Sequence, residues 1–446
     1  MPARTWSLGS LVTLFAMGCG AGQSSSTVDD EEIFSSENAI VNVDHTDVER
    51  QSIGNCWIYA HGTWVESLNK SATGINFDVS QSYWTYWDWY TKLASGSSYD
   101  VSEKKEGDIL TRSIETGGSW QQANNIVRRY GIVPEAEFVP EDATAEMSSR
   151  QKEALNAINL SLSSGALSTP EARRNKKLVR DELNKAWSLN ASVVAWMNQV
   201  FGEDTSRDLS YGSSANVTGA PVISAKNFKA KYVSKSYSGR ISTRNSVLSE
   251  AMNAWKQVSY PSNYSYGSSS STGRRKFQIS VQEAAHQKAP VIVTWSVDFN
   301  AMENNVSSPL AGSFNLTTLK NAGKPGRQGG HMTVLEDYQV KLTTGEVLKA
   351  NVDVTDPAKL QAALDPSATI EFIQIKNSWG AARPDRVFAP GMPGYHNLNM
   401  DYLNGPIAWC TETEGLLPTE KRGCNTHVTP WKSVVLPPGF GSSYYY

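Results

Sequence analysis

Between Ser80 and Leu93, six aromatic residues (Tyr83, Trp84, Tyr86, Trp87, Trp89 and Tyr90) crowd a segment that Ser80 is placed to cap as a helix. At helical spacing they surround the axis almost completely, so no face is left for water, and such a helix has to lie between other elements. Aromatic density of this kind reads as packing rather than as a ligand box. A preceding helix opens at Cys56, with Trp57, Ala60, Trp64, Val65 and Leu68 on one face and Gly74 as its stop. A third runs from Ser119 through Tyr130, with Gly117-Gly118 before it and Gly131 and Pro134 after it. With 446 residues, 39% of them hydrophobic and 14 of them tryptophan, the chain can bury a large domain or two packed lobes.

From Ala143 to about Gly202 the pattern is helical throughout, and Ser168 with Glu171 has capping-box spacing around Pro170. Ser234 to Ser246 and Ser262 to Thr272, rich in serine, glycine and tyrosine, read as exposed loops. Strand signals follow at Val291–Val297, Met332–Val340, Val347–Val354 and Ile370–Ile375, which predicts an antiparallel sheet or barrel in the C-terminal half. The fold class is α+β, mainly helical over 41–215 and mainly β over 216–446. No internal repeat is visible.

A net charge of -3 gives no global attraction to nucleic acid. The clusters Arg173-Arg174-Asn175-Lys176-Lys177 and Arg274-Arg275-Lys276 read as a solvated helix face and a loop. Arg4 followed by the apolar run Leu8–Met17, too short to span a bilayer, reads as an export signal. Its end, Leu14-Phe15-Ala16-Met17-Gly18-Cys19, resembles a bacterial lipoprotein signal, which implies lipidation of Cys19 and attachment to the cell envelope. The alternative is cleavage by an ordinary signal peptidase and release. Residues 20–40 then read as a flexible tether. Of the three remaining cysteines, Cys410 and Cys424 form a natural pair for a disulfide, which leaves Cys56 unpaired. Two free buried thiols, or a pairing that involves Cys56, stay open.

An unpaired cysteine at a helix N-terminus is a candidate nucleophile, because the helix dipole and a neighbouring imidazolium both favour the thiolate. His331 and Asn377 stand downstream on predicted strands. Gln51 to Ala60, Gly330-His331-Met332-Thr333-Val334 and Lys376-Asn377-Ser378-Trp379-Gly380 look like the three signature blocks of papain-like cysteine peptidases. The resemblance implies a two-lobed fold with Cys56 as nucleophile, His331 as its acid–base partner and Asn377 orienting the imidazole. It also implies Trp379 as the shield of that hydrogen bond and Gln51 as an oxyanion donor beside the Cys56 backbone N–H. Gln51 stands five residues before Cys56, where the family usually has six, so its loop is expected to be tighter.

Val79–Tyr83, Gly117–Trp120, Tyr130–Pro134, Ala289-Pro290-Val291 and the helical insertion look like the bleomycin hydrolase and aminopeptidase C branch of that family. So do Ile53, standing where secreted papain-type enzymes carry a cysteine, and the short stretch before Gln51, which leaves no room for a full inhibitory propeptide. Members of that branch are typically cytosolic and use their C-terminal residues as a cleft barrier. An export signal and an end in Phe440-Gly441-Ser442-Ser443-Tyr444-Tyr445-Tyr446 give no basis for carrying over aminopeptidase specificity. Thr343-Thr344-Gly345 and Asp356-Pro357 predict an enlarged hairpin between His331 and Asn377. Scattered histidines and the absence of a short-spaced cysteine pair argue against a zinc site, and no cofactor is implied. The expected partner is a peptide or protein substrate. A cysteine acyltransferase on the same fold and a catalytically inactive surface-tethered binding protein remain as alternatives.

Overall fold

A computed structural model describes residues 43, 45–210, 219–261, 271–411 and 423–441. The chain divides into Met1–Glu37 and Asn38–Tyr446, and the described residues belong to the second unit. Cys19, the export signal and the tether to residue 40 lie outside the described residues, as do 262–270 and the last five residues. No helix among the described residues is long and apolar enough to cross a membrane.

The first half is built around α1 (Cys56–Thr73) and α2 (Gln81–Ala94). Ser80 caps α2 by accepting from the Tyr83 N–H at 3.2 Å, and all six aromatic residues are buried. Several of their polar tips find partners: Tyr83 donates to the Tyr130 carbonyl at 2.6 Å and Trp84 to the Gly131 carbonyl at 2.9 Å, whereas the Trp87 indole N–H is buried without one. Trp87 lies flat on Tyr130 at 3.8 Å between centroids, joining α2 to α3 (Trp120–Tyr130). Gly117-Gly118 marks more than a helix start. A Cβ on Gly118 would sit 2.2 Å from the Trp57 indole, so only glycine lets the first turn of α1 pack there.

The helical insertion consists of α4 (Arg150–Ser164), α5 (Pro170–Arg174), α6 (Lys176–Ala186) and α7 (Ala191–Phe201). The cap of α5 is Thr169, which accepts from the Ala172 N–H at 3.2 Å, and not Ser168. The basic clusters are not solvated throughout. Arg173 is buried and donates to the Leu167 carbonyl, while Arg275 is buried with its guanidinium on Gln282 and the carbonyls of Ala363 and Asp365. Neutral acceptors that converge from distant segments, which a linear pattern cannot display, hold these cations in the interior.

The second half carries an eight-stranded sheet. In chain order its strands are β1 (Lys256–Ser259), β2 (Ile292–Asp298), β3 (Ser313–Phe314), β4 (Gln328–Lys341), β5 (Val347–Leu348), β6 (Thr369–Lys376), β7 (Tyr395–Asn399) and β8 (Trp431–Leu436). The spatial order is β1-β8-β2-β4-β6-β7-β3, with β5 hydrogen-bonded to the end of β4. All pairs are antiparallel except β7 with β3. The strand expected over Val347–Val354 shrinks to two residues, and Asp356 caps a short helix, Pro357–Ala363, within the excursion after it. Ser234 to Ser246 is no loop: it forms most of a hairpin of Lys229–Lys235 with Ile241–Val247. A second hairpin, Val101–Glu106 with Ile109–Ile114, escapes the sequence reading because it is dominated by charged residues. Helix α1 packs against β4 and against the strand Lys229–Lys235, which seats it between α2 and the sheet.

Replacing Gly118 by alanine is expected to lower stability by about 1–3 kcal/mol through overpacking against Trp57. A urea midpoint equal to that of the unchanged protein would show that the ring can step aside.

Candidate functional site

The site forms where the N-terminus of α1 meets β4 and the end of β6. Asn55, just before α1, donates from its amide to Thr85 at 2.9 Å and to Gln151 at 3.0 Å, so the helix start is tied to α2 and α4. Lys376, the last residue of β6, reaches the Thr46 carbonyl at 2.7 Å and Thr63 of α1 at 3.3 Å. Burial pulls that ammonium down while Glu66, Glu49 and Glu336 hold it up. Burial and mutual repulsion push Glu49 up, and burial pushes Glu66 up to about 7. This interior charge cluster fixes the first turns of α1 to the strand end that continues into Asn377.

Cys56 is half-buried and free of any disulfide. The backbone N–H of Met332, the residue after His331 on β4, bears on the Cys56 thiol electrostatically and favours its ionised form. His331 is opposite Trp295 in the β2–β4 register and is itself buried. Its Nε2 donates to the Asn377 side-chain oxygen at 2.7 Å. Trp379 stacks on the imidazole, 4.8 Å between centroids and 17° from parallel, and covers that bond. The Asn377 amide nitrogen faces His396 Nδ1 at 3.3 Å. Burial pushes His396 down to about 3, so it is neutral and can accept there.

This geometry selects a tautomer. With its Nε2 proton committed to Asn377, neutral His331 keeps the Nδ1 lone pair available as a base. Burial pushes the ring down to about 4, against the Asn377 hydrogen bond that pulls it up. Burial likewise pushes the Cys56 thiol up to about 11, outweighing the N–H groups of Met332, Trp57 and Cys56 itself that pull it down. Burial thus opposes the helix N-terminus, which acts on the thiol in the expected sense.

Gln51 is joined to the same segment. Its backbone N–H donates to the Ser378 carbonyl at 2.9 Å, the Ser378 hydroxyl donates to its side-chain oxygen at 2.6 Å, and its amide nitrogen donates to the Ile53 carbonyl at 2.7 Å. One amide proton is engaged by Ile53 and the other is left over. The Ile53 carbonyl, which can only accept, fixes which end of the Gln51 amide is the nitrogen, and the Ser378 hydroxyl follows by donating to the other end. The Asn-Ser-Trp-Gly block displayed Ser378, though without a role. His396 carried no signal, being one of alternating residues on a short strand.

Cys410 and Cys424 are joined in a disulfide across the ribbon Ile407–Thr411 with Gly423–Val428. The Cys410 N–H donates to the side chain of Gln328, the first residue of β4, at 2.9 Å, which anchors the ribbon near the strand of His331.

A family model described as "Peptidase C1-like family" matches residues 19–270, more than half of the chain; the match takes in Gln51 and Cys56 and stops short of His331 and Asn377. Aminopeptidase C of Lactobacillus helveticus is 28% identical over 118 residues, which is 25% of this chain and 26% of that protein. Bleomycin hydrolase of Oryctolagus cuniculus is 31% identical over 121 residues, 24% of this chain and 42% of the relative. The chain therefore matches well under half the length of these curated relatives. The crystal structure of PepW from Lactobacillus rhamnosis superposes with a TM-score of 0.44 at 12% identity, over 90% of this chain and 82% of that one.

Two measurements check the site's electrostatics. Nitrogen NMR of the imidazole should find the His331 Nε2–H form at neutral pH, and Asn377→Ala should remove that bias and lower the pKa further, since the lost hydrogen bond raises it. Alkylation of Cys56 by iodoacetamide should climb by about tenfold per pH unit through the neutral and mildly alkaline range, as a thiol with a raised pKa demands. A rate already level at mildly acidic pH would mean a preformed thiolate.

Proposed function

Because the chain belongs to the Peptidase C1-like family, we propose that it is a cysteine peptidase that works outside the cytoplasm through Cys56, His331 and Asn377. The observation that carries the reading is the His331 Nε2 to Asn377 bond at 2.7 Å beneath Trp379, one residue before the Met332 N–H that acts electrostatically on the Cys56 thiol.

The neutral pair gives the order of events. As Cys56 Sγ bonds to the scissile carbonyl carbon, its proton passes to His331 Nδ1, and Asn377 steadies the imidazolium through the Nε2 proton. The carbonyl oxygen gains the negative charge and is met by the Cys56 backbone N–H and the uncommitted proton of the Gln51 amide. Collapse breaks the C–N bond, the leaving amine takes the proton from His331, and a water then hydrolyses the thioester with His331 again as base. The Ile53 carbonyl holds the Gln51 nitrogen on its side of the amide, and Ser378 holds the oxygen on the other. The one-residue shortening before Cys56 is compatible with this role, because Gln51 is held by Ser378 as well as by its own loop.

Export rests on Arg4, the apolar run Leu8–Met17 and Cys19. Cys19→Ser should move the protein from the membrane fraction to the soluble one if that cysteine carries lipid.

An epoxysuccinyl thiol inhibitor should add one equivalent to the reduced protein, and Cys56→Ala should abolish the adduct; a folded, reduced protein that never labels would remove the peptidase reading. With a peptide substrate, Cys56→Ala and His331→Ala should each lose essentially all turnover, whereas Asn377→Ala should retain a measurable fraction. Gln51→Ala should lower kcat by roughly 10²-fold, the loss typical of an oxyanion donor.

A further inference from the structure

The loop between β6 and β7 brings a cation to the site for which the steps above have no use. The Arg386 guanidinium lies 4.1 Å from the centroid of the Trp379 ring and 4.9 Å from that of Phe299. Its side chain is 10% exposed, and its Nε and Nη1 atoms are buried without a hydrogen-bond partner. Its neighbour Asp385 makes only a long ion pair with it: that carboxylate approaches Nε to 4.0 Å, fills none of its hydrogen bonds and is held by both forks of Arg383. Arg327 adds a second guanidinium over the same Phe299 ring, at 4.5 Å. Arg50, Arg327 and Arg383 all bear on Arg386 electrostatically, so positive charge accumulates where the aromatic stack of Phe299, Trp379 and His331 reaches the surface. Maintaining a buried guanidinium with open donors among other arginines is costly, and a carboxylate would relieve both the repulsion and the unfilled hydrogen bonds.

The position identifies which part of a substrate would supply it. His331 hands its proton to the departing nitrogen, so the leaving fragment runs past His331 and Trp379. The centroid steps from His331 to Trp379 and from Trp379 to Arg386, 4.8 and 4.1 Å, match the span of a side chain or of two residues of extended chain at ~3.4 Å each. We propose that Arg386, supported by Arg327, forms a carboxylate-recognition subsite on the leaving-group side of the scissile bond. The preferred substrates then carry an acidic side chain, or a free C-terminal carboxylate, within two residues after that bond. The inference rests on the peptidase reading and adds its substrate class.

The test compares quenched fluorescent peptides that differ only after the scissile bond: Glu or Gln there in C-terminally amidated peptides, and a two-residue leaving fragment with a free or an amidated C-terminus. The readout is the ratio of kcat/KM within each pair, which normalises any change in overall activity. The unchanged protein should prefer the charged member of at least one pair by about tenfold or more, in keeping with a charge-assisted bond at a poorly solvated site. Arg386→Gln should bring that ratio close to one and Arg386→Lys should retain part of it. Preference in the first pair assigns a side-chain carboxylate, and preference in the second assigns the chain terminus. Ratios near one in both pairs, or a preference that Arg386→Gln leaves intact, overturn the proposal. Calorimetric binding of the same peptides to the Cys56→Ala protein gives the comparison without turnover, and equal affinities there also overturn it. Failure of the peptidase reading shows separately, as absence of epoxysuccinyl labelling.

Discussion

The hydrogen bond from His331 to Asn377 is the constraint on which the site depends, because it connects two adjacent strands and at the same time assigns the imidazole its tautomer. Antiparallel pairing of β4 with β6 sets the two residues near each other. Trp379 then keeps water from the bond and His396 takes the other end of the Asn377 amide. Once Nε2 is committed, Nδ1 is the only ring nitrogen free to exchange a proton with the sulfur across the lobe boundary. The rest of the structure supplies the rigid frame that this pairing needs.

Burial carries a second consequence. Burial of the sulfur and the imidazole favours their neutral forms. In the proposed mechanism the charge created on attack is met by groups already in place: Asn377 for the imidazolium and the first turn of α1 with Gln51 for the oxyanion. The same burial makes the nearby arginines conspicuous, since cations without acceptors are uncommon beside a site that disfavours charge.

Much of this was legible in the chain itself. Trp57, Trp64 and Leu68 at helical spacing, the Ser80 cap and the ring of aromatics on α2 predict both central helices almost to the residue. The β-rich runs from Val291 and from Met332, bounded by turn residues, predict the strands at the heart of the sheet. Other parts were hidden for specific reasons. The hairpin over 229–247 is rich in serine and half solvated, so propensity reads it as loop, and long-range pairing makes it sheet. Arg275 looks solvated because the carbonyls that accept from it belong to a remote turn, and Arg173 because a linear pattern does not display its return onto the Leu167 carbonyl. The role of Gly118 depends on an indole sixty residues earlier in the chain.

The sequence by itself determined the candidate reacting groups, their order and the elements that carry them, because nucleophile chemistry and periodicity are local properties of residues. The pairing of Cys410 with Cys424, which leaves Cys56 free, is decided by the fold. Only the tertiary structure decided the burial of the sulfur and the imidazole, the tautomer, the contacts of Ser378 and His396, and the convergence of Arg386 and Arg327 on the aromatic stack. Those depend on burial and on distances between segments far apart in the chain, which are set when helices and sheet pack and are nowhere written in neighbouring residues.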